Sequence, residues 1–401
     1  MMVQRVIVIG SNPATRLGLI RSVGAVEGCR VTVIEMVMQV TPNLRPSYDS
    51  ASKYVDNTYF AEKFNAEGLC LLLLEKCRES NCIPLIMSVD DDSACLVDKI
   101  YDRLQGSFYY SHIDDKVGAI ANLMDKQVQK EFAATSGFNI VKSWSVDIHE
   151  GQYTIPEEVS FPCYVKGRLS YHSAKKYQKR CNSRGELEEW LKVIAKGNPS
   201  PMLIEEYIEI EKEYGVAGYC NEERIVLPGI VELIESGHGV HTGVSAFGRV
   251  NDFSMNESLK EQVEHFIRNI RLSGQFNMDF VVSKGVWYFV ELNMRFAAYG
   301  YAIFRAGVNL PAFQIYEVMS RDSSTLNVHV HKGYCYVNEK VAFDDVKYGF
   351  RTWRDYRNLL KKADCCLINQ SNDKKPARLF KVRAIISLVK EEIKRIINNK
   401  E

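Results

Sequence analysis

The chain has 401 residues, of which 46% are hydrophobic and 25% charged, and its net charge is +1. This length predicts two or three domains of an ordinary globular protein, and the balanced charge excludes a general attraction to nucleic acid or membranes. The sequence has no run of about 18 apolar residues, which a membrane span would require, and its N-terminus lacks the pattern of a secretory signal. The 11 scattered cysteines then favour reduced thiols, so we expect a cytoplasmic protein.

The first hundred residues predict a parallel α/β sheet. Apolar strands are expected at 5–9, 30–34 and 83–88, with helices at 16–23, 67–80 and 93–103. Gly10 stands alone in the first turn, since Asn12 and Pro13 occupy positions where a dinucleotide site requires glycine. A nucleotide-sugar or dinucleotide enzyme therefore remains only as an alternative.

Two polar residues of this region are candidates for substrate contact. Arg16 and Asp90 lie at, or just beyond, the carboxyl ends of predicted strands, where open α/β sheets bind their ligands. The acidic run at 90–92 has a second interpretation, a solvated helix N-terminus, and this is the commoner arrangement.

From about residue 115 the pattern becomes that of an α+β region. Helices are expected at 116–137, 183–194 and 258–273, and strands at 140–146, 163–165, 202–207 and 214–219. The predicted fold class is therefore α/β followed by α+β.

A predicted hairpin, with apolar strands at 276–282 and 286–292, carries three polar side chains. Glu291 and Asn293 share a face because alternate side chains of a strand point the same way, and the turn brings Asp279 back towards them. Two carboxylates and an amide oxygen suit a Mg²⁺ ion held together with substrate phosphates. The alternative is an amphipathic hairpin whose polar side chains lie in solvent.

Further polar motifs precede the hairpin. Lys166 ends an apolar strand, which would hold its ammonium group near the core and suit phosphate contact, whereas Lys126 begins a helix and could be a surface lysine. The strand near 202–207 ends in acidic and aromatic residues, and Glu213 follows it. A glycine-rich loop at 232–245 carries His238 and His241, without the third histidine or cysteine that zinc would require.

The last segment predicts a basic amphipathic helix from residue 380. Its apolar face comprises Val382, Ile385, Ile386, Val389, Ile393 and Ile396. We expect this face to dock on the protein's own core, with weak contact to an anionic membrane surface as the alternative.

Taken in order, these motifs resemble the ATP-grasp superfamily, and within it one synthetase unit of the carbamoyl phosphate synthetase large chain. The resemblance rests on Lys126, Lys166, Leu203-Ile-Glu-Glu-Tyr-Ile208, Val240-His-Thr-Gly-Val-Ser245 and Val290-Glu-Leu-Asn-Met-Arg295. It covers residues 1–320. It implies a Rossmann-like pre-ATP-grasp domain at 1–114, an ATP-grasp domain at 115–320 with a lid subdomain at about 125–210, and a C-terminal extension at 321–401.

The resemblance also implies a role for each residue. Lys126 and Lys166 would contact ATP, the backbone of Glu205, Glu206, Tyr207 and Ile208 would read the adenine edge, and Glu213 would bind the ribose. Asp279, Glu291 and Asn293 would hold Mg²⁺ or Mn²⁺. Catalytic roles would fall to Lys166, to His241 near the phosphates, and to Arg295, which would stabilise charge on the transferring phosphoryl group.

Three positions depart from the pattern of those synthetases: Gly167 and Met294 replace prolines, and Val244 replaces an aspartate. Carbamoyl phosphate synthesis itself is not expected, since a second synthetase unit and a glutaminase are missing. We expect an ADP-forming carboxylate–amine ligase that works through an acyl phosphate, in cell-wall or surface-polysaccharide or peptide biosynthesis. A catalytically weak ATP-binding regulatory protein is the alternative. The expected partners are a small carboxylate and a small amine, without nucleic acid, and a homodimer is a further expectation.

Overall fold

A computed structural model describes residues 4–149, 151–171, 177–197, 201–238 and 243–398. The strands are β1 (Gln4–Gly10), β2 (Cys29–Val37), β3 (Val55–Glu62), β4 (Leu85–Ser88), β5 (His112–Ile113), β6 (Asn139–Ile140), β7 (Ser143–Val146), β8 (Cys163–Gly167), β9 (Lys179–Cys181), β10 (Met202–Glu206), β11 (Lys212–Cys220), β12 (Ile225–Val226), β13 (Ile230–Ser236), β14 (Ser245–Asn251), β15 (Leu272–Ser283), β16 (Val286–Asn293), β17 (Tyr334–Val337) and β18 (Cys365–Cys366). The helices are α1 (Pro13–Gly24), α2 (Ala66–Leu72), α3 (Asp91–Lys99), α4 (Tyr101–Leu104), α5 (Ala119–Leu123), α6 (Lys126–Thr135), α7 (Arg184–Gly197), α8 (Glu257–Ile270), α9 (Gly300–Arg305), α10 (Leu310–Val318), α11 (Glu339–Lys347), α12 (Trp353–Lys362) and α13 (Lys374–Asn398).

The N-terminal sheet is parallel, with strand order β3-β2-β1-β4. Its central strand is buried on both faces, with Val6, Ile7, Val8 and Ile9 all fully buried, as parallel sheets covered by helices require. Asn12 begins α1 by accepting hydrogen bonds from the N–H groups of Ala14 and Thr15. The predicted parallel α/β start is confirmed, although β3 was not predicted and α2 ends earlier than expected, in a π-helical turn that reaches Cys77.

A small antiparallel sheet, ordered β7-β10-β8-β9, follows in the chain. Leu187, Leu191 and Ile194 recur along one face of α7 and pack in the same apolar cluster as the buried side of this sheet. The single strand predicted at 140–146 is wrong. The chain changes sheets here, so that β6 pairs with β16 while β7 pairs with β10.

The long helix predicted at 116–137 is also wrong, because it is broken into α5 and α6. The break lies at Met124 and Asp125, where the Asp125 carboxylate caps α6 by accepting a hydrogen bond from the N–H of Gln127. This cap makes Lys126 the first residue of α6.

The largest sheet in the described part of the chain has ten strands, ordered β18-β17-β14-β13-β11-β15-β16-β6, with β12 and β5 paired at the side. Phe289 of β16 lies in its core, with ring-centroid separations of 5.7 Å from Phe266 of α8 and 6.1 Å from Phe280 of β15. Residues beyond 320 take part in this sheet, because β17 pairs with β14 and β18 pairs with β17.

Helix α13 packs on the rest of the protein through Ala377, Phe380 and Ala384, which lie in one cluster with Leu17 and Tyr48. The docked face is therefore not the one predicted. The exposed fractions of the expected docking residues are 54% for Val382, 61% for Ile385, 49% for Ile386, 53% for Val389 and 50% for Ile393. Within the described ranges, no helix has the length and apolar character needed to cross a membrane.

Candidate active site

The hairpin β15–β16 brings its polar side chains together in the arrangement that strand alternation predicts. Asn277 pairs with Asn293 and Asp279 pairs with Glu291 across the two strands. A β-bulge between Asp279 and Phe280 shifts the pairing register from that point to the turn. The pairs Asn277–Asn293 and Asp279–Glu291 lie on the other side of the bulge and share one register. The four side chains therefore share one face of the large sheet.

Two amides hold the Asp279 carboxylate in place. Asn277 Nδ2 donates to Asp279 Oδ1 at 3.0 Å, and Asn293 Nδ2 donates to Asp279 Oδ2 at 3.1 Å. The Tyr299 hydroxyl in turn donates to Asn277 Oδ1. Asn293 Oδ1 is buried and has no hydrogen-bond partner among the described residues. An amide oxygen in that state can accept a cation at no cost in existing hydrogen bonds.

Helix α6 presents Lys126 to the second carboxylate. Lys126 Nζ lies 3.3 Å from Glu291 Oε2 and donates to Ser170 Oγ at 2.9 Å. The helix is tied to β16 by the fully buried Gln129, whose Oε1 accepts from Leu292 N–H and whose Nε2 donates to Leu292 O, each at 2.8 Å. The Gln129 amide thus pairs with β16 as a peptide group of a neighbouring strand would. Leu292 lies three residues beyond Phe289, the last residue of β16 that pairs with β6.

Arg295 follows β16 and meets the carboxyl end of the N-terminal sheet. Its Nε donates to Asp91 Oδ1 at 3.1 Å, and the next residue, Phe296, donates its N–H to Ser88 O at 3.1 Å. The acidic run begins α3, as the alternative interpretation expects. Asp90 caps this helix by accepting from Ser93 N–H at 3.0 Å, whereas Asp91 lies beside Arg295. Contact between Asp90 and a substrate stays a prediction.

Arg16, the other substrate candidate in this region, is fully buried. Its guanidinium donates to both Asp49 carboxylate oxygens, at 2.8 and 3.0 Å, and to Gly10 O at 2.6 Å. It therefore holds the first loop of the sheet in place, and contact between Arg16 and a substrate stays a prediction.

A cavity of about 220 Å³ collects most of these groups. Its charged lining residues are Lys126, Asp279, Glu291 and Arg295, together with Asp91. Its uncharged lining residues include Ser245, Tyr299, Tyr336, Asn338 and Leu367. Burial raises the pKa of Tyr336, and the neighbouring Ser245 hydroxyl opposes that shift. Apart from each other, these two buried hydroxyls have no hydrogen-bond partner in the described chain.

The two facing carboxylates differ in their affinity for protons. Burial and the charge of Glu291 raise the pKa of Asp279. Burial would also raise the pKa of Glu291, but the ammonium groups of Lys126 and Lys166 outweigh it and lower that pKa. Two carboxylates this close repel each other, and a cation between them would remove that repulsion.

This donor set fits a hard divalent cation. Asp279, Glu291 and the unpartnered Asn293 Oδ1 are oxygen ligands of the kind that Mg²⁺ prefers. Among the described residues, no group of three or more His, Cys, Asp or Glu side chains is arranged to hold a metal ion by itself. A magnesium ion that keeps water or phosphate ligands needs only one or two protein carboxylates.

A second charged cluster lies on the small sheet. Glu205 of β10 pairs with Lys130 at 2.5 Å and with Lys166 at 2.9 Å. Burial would raise the pKa of Glu205, but these two ammonium groups outweigh it and lower that pKa. Lys166 is engaged with Glu205 and does not line the cavity, but its charge still acts on Glu291.

In the predicted backbone segment at 205–208, one N–H group has no hydrogen-bond partner among the described residues. Glu206 N–H donates to Lys142 O at 2.9 Å, and Tyr207 N–H donates to Pro162 O at 3.1 Å. Ile208 N–H donates to no other described residue. Of the predicted backbone segment, Ile208 is therefore the residue that can offer a donor to a ligand.

Glu213 of β11 accepts a hydrogen bond from the Ser236 hydroxyl. Ser236 ends β13, and the glycine-rich loop follows it. Asp345 of α11 anchors the start of this loop, because its carboxylate accepts from His238 N–H at 2.9 Å and lies 3.2 Å from His238 Nδ1. His241 lies outside the described residues.

Sequence reasoning missed several groups of this site. Asn277 could have been found, since it lies two positions before Asp279 and must share its face. Gln129 could not, because a lone glutamine in a helix carries no signal. Tyr336 and Asn338 come from a strand and a cap more than forty positions beyond the last motif, and only the pairing of β17 with β14 brings them to the cavity.

No family model matches the sequence. Solved structures similar to this chain include N5-carboxyaminoimidazole synthetase from Staphylococcus aureus in complex with ADP, at a TM-score of 0.63 and 18% identity, covering 87% of this chain and 86% of that one. The Aspergillus clavatus synthase in complex with ADP and 5-aminoimidazole ribonucleotide matches at 0.61 and 13%, with coverages of 83% and 81%.

An L-amino acid ligase from Bacillus licheniformis matches at a TM-score of 0.59 and 14% identity, covering 82% of this chain and 78% of that one. Both kinds of enzyme are ATP-grasp proteins, and each match covers more than four fifths of this chain. The chain therefore has the ATP-grasp fold, with an N-terminal α/β domain preceding it.

Proposed function

We propose that this protein is an ADP-forming carboxylate–amine ligase. The observation that carries the proposal is the convergence of Asp279, Glu291, Lys126 and Arg295 on one cavity, beside the unpartnered oxygen of Asn293. Phosphoryl transfer requires positioned cations around an anionic group, and this cavity supplies two cationic side chains together with ligands for a metal ion. The ATP and ADP complexes of structural neighbours support ATP as the phosphoryl donor.

ATP would lie between the two charged clusters. In this proposal Ile208 N–H donates to the adenine edge, with Glu205, Glu206 and Tyr207 shaping that segment, and Glu213 accepts from the ribose hydroxyls. Lys166 and Lys126 contact the phosphates. Both lysines have carboxylate partners at 2.9 and 3.3 Å in the described chain, so the phosphates would replace or share those contacts.

Asp279, Glu291 and Asn293 would hold Mg²⁺ or Mn²⁺. Such an ion supplies charge neutralisation and orientation of the phosphate oxygens. Lys126 next to Glu291 keeps that carboxylate ionised, which is the form that a metal ion requires.

The chemistry would run in two steps. A carboxylate oxygen of the first substrate attacks the γ-phosphorus of ATP, which forms an acyl phosphate and releases ADP. The nitrogen of the amine then attacks the acyl carbon, phosphate leaves with the C–O bond electrons, and the amine gives up a proton to solvent or phosphate. Arg295 would stabilise negative charge on the transferring phosphoryl group, and His241 would lie close to it.

The uncharged lining residues of the cavity would contact the group that bears the reacting carboxylate. Ser245, Tyr336 and Asn338 can hydrogen-bond to hydroxyl or amide groups, while Leu367 adds apolar contact. This lining suits a reactant from cell-wall, surface-polysaccharide or peptide biosynthesis, which is the substrate class we propose. The reaction would take place in the cytoplasm, where ATP is available.

ADP release in the presence of Mg-ATP tests the proposal. We expect ADP to form only when a suitable carboxylate and amine from a panel of amino acids and hydroxy acids are both present. Glu291→Ala and Lys166→Ala should each reduce the rate by roughly 10²–10³-fold, as the loss of a group that stabilises transition-state charge does elsewhere. Glu222→Ala and Lys192→Ala, which change exposed residues outside the cavity, are the matched controls.

Two outcomes would contradict the assignment. Full turnover by Glu291→Ala would show that the metal ligands are wrong. Tight binding of Mg-ATP without ADP release for any pair of reactants would favour a catalytically weak ATP-binding regulatory protein. The division at residues 114 and 320 and assembly into a homodimer stay predictions.

A further inference from the structure

Helix α13 has two apolar faces, and only one of them is covered. Ala377, Phe380 and Ala384 are buried against the protein. Val382 lies two positions from both Phe380 and Ala384, and residues two positions apart point to nearly opposite sides of a helix. The second face therefore looks directly away from the molecule.

This second face is a continuous stripe. It comprises Val382, Ile385, Ile386, Val389 and Ile393, each of them 49% to 61% exposed. The spacing of three and four residues places all five side chains in one row over three turns. A soluble surface rarely leaves a row of this kind without a partner.

Basic residues border the stripe on both sides. Lys374 and Lys381 are seven positions apart and share one edge, while Arg383 and Lys390 are likewise seven apart and share the other edge. All four are exposed. Lysine and arginine can lay their long apolar stems along an apolar surface and keep their charged ends in water, as they do at membrane interfaces.

The charge of the chain is concentrated in this helix. Residues 374–398 contain eight Lys or Arg and two Glu, a net charge of +6, whereas the whole chain carries +1 and the remainder therefore −5. The overall balance, which argues against attraction to a membrane, thus hides a strongly basic element. A second copy of the helix placed on the stripe would bring +6 against +6, so the charge pattern favours an anionic partner over self-association.

We propose that this exposed stripe, with its two basic borders, is a docking surface for an anionic membrane. The helix would lie in the plane of the interface, with the five apolar side chains in the acyl boundary and the basic side chains at the headgroups. The opposite face, with Ala377, Phe380 and Ala384, would hold the helix to the rest of the protein. No residue of the candidate active site belongs to the helix, so docking and catalysis can be separated experimentally.

Flotation of the full-length protein with lipid vesicles tests this proposal. We expect binding to vesicles of phosphatidylglycerol and phosphatidylcholine, at least tenfold weaker binding to pure phosphatidylcholine, and release by salt. The double variant Ile385→Asp/Val389→Asp should lose at least tenfold in binding. Lys381→Glu/Lys390→Glu should also lose at least about tenfold, since each basic residue near such a surface contributes a factor of about five.

Val193→Asp is the matched control, because Val193 is 51% exposed on α7, in another part of the protein. It should bind vesicles as the wild type does. Circular dichroism and ATP binding should be unchanged in all variants, and vesicle binding needs no turnover, so this test does not depend on the ligase assignment. Equal binding to neutral and anionic vesicles, or full binding by the double aspartate variant, would overturn the proposal. So would a dimer in solution that Ile385→Asp/Val389→Asp dissociates, since the stripe would then be a protein interface.

Discussion

Gln129 is predicted to hold the two halves of the candidate site together. Its amide exchanges two hydrogen bonds with Leu292 and makes a third to Leu123 O at 2.9 Å. Gln129→Met keeps the volume of the side chain and removes all three. A buried N–H and two buried carbonyls then lose a partner, and each such loss costs about 1–3 kcal/mol, so we expect a destabilisation of about 3 kcal/mol.

Hydrogen exchange of the Leu292 amide measures this destabilisation at the residue that loses its hydrogen bond. The Leu292 amide should exchange roughly a hundredfold faster in Gln129→Met, because 1.4 kcal/mol corresponds to a factor of ten. Urea unfolding should show the same loss of stability. ATP affinity should also fall, since Lys126 would no longer be held beside Glu291.

Gln314→Met provides the matched control. Gln314 is also a buried glutamine in a helix, but its Oε1 has no hydrogen-bond partner among the described residues. Removing an amide whose buried oxygen is unpaired should cost less than about 1 kcal/mol or even stabilise. Equal destabilisation by the two variants would refute the role given to the Gln129 hydrogen bonds.

Two further predictions concern the pH dependence of stability and the packing of the site. The folded-state pKa of Glu205 is lowered, because its two lysine partners outweigh burial, so its charge stabilises the fold above its usual pKa of 4.5 and this contribution is lost as the pH falls. The difference in urea midpoint between wild type and Glu205→Gln should thus be full near pH 6 and shrink below 4.5. Gly215→Ala should impair ADP release severalfold and lower stability, because the new Cβ would lie 2.0 Å from the Tyr299 hydroxyl.

Each of these has its own contrary outcome. A midpoint difference for Glu205→Gln that is constant from pH 6 to pH 3.5 would mean that the two lysines do not lower the pKa of Glu205. Gly185→Ala is the control for Gly215→Ala, because its Cβ would meet nothing closer than 4.0 Å on helix α7. Alanine is the better helix former, so this control should be neutral or stabilising. If both alanine variants behave alike, the contact with Tyr299 is not a constraint.

The periodic segments of this chain could be read from its sequence. Buried strand β1, amphipathic helix α7 and the hairpin carry their periodicity in consecutive residues, so local pattern was sufficient. The pairing of Asp279 with Glu291 followed from the same rule. One error fell where pattern and sheet membership conflict, at residues 140–146, because a short strand does not reveal which sheet it joins. Another fell at 116–137, where the Asp125 cap begins a new helix inside a segment that reads as one.

Sequence alone also determined the ordered set of motifs that resembles the ATP-grasp superfamily, since each motif is a local string. The tertiary structure decided which other side chains lie around these motifs. It brought Asp91, Tyr336 and Asn338 to the same cavity and Gln129 against Leu292, through contacts between residues far apart in the chain, which no local pattern encodes. It also decided which face of α13 is covered. Both faces are apolar in the sequence, and only the position of Phe380 against Leu17 and Tyr48 leaves the other one exposed.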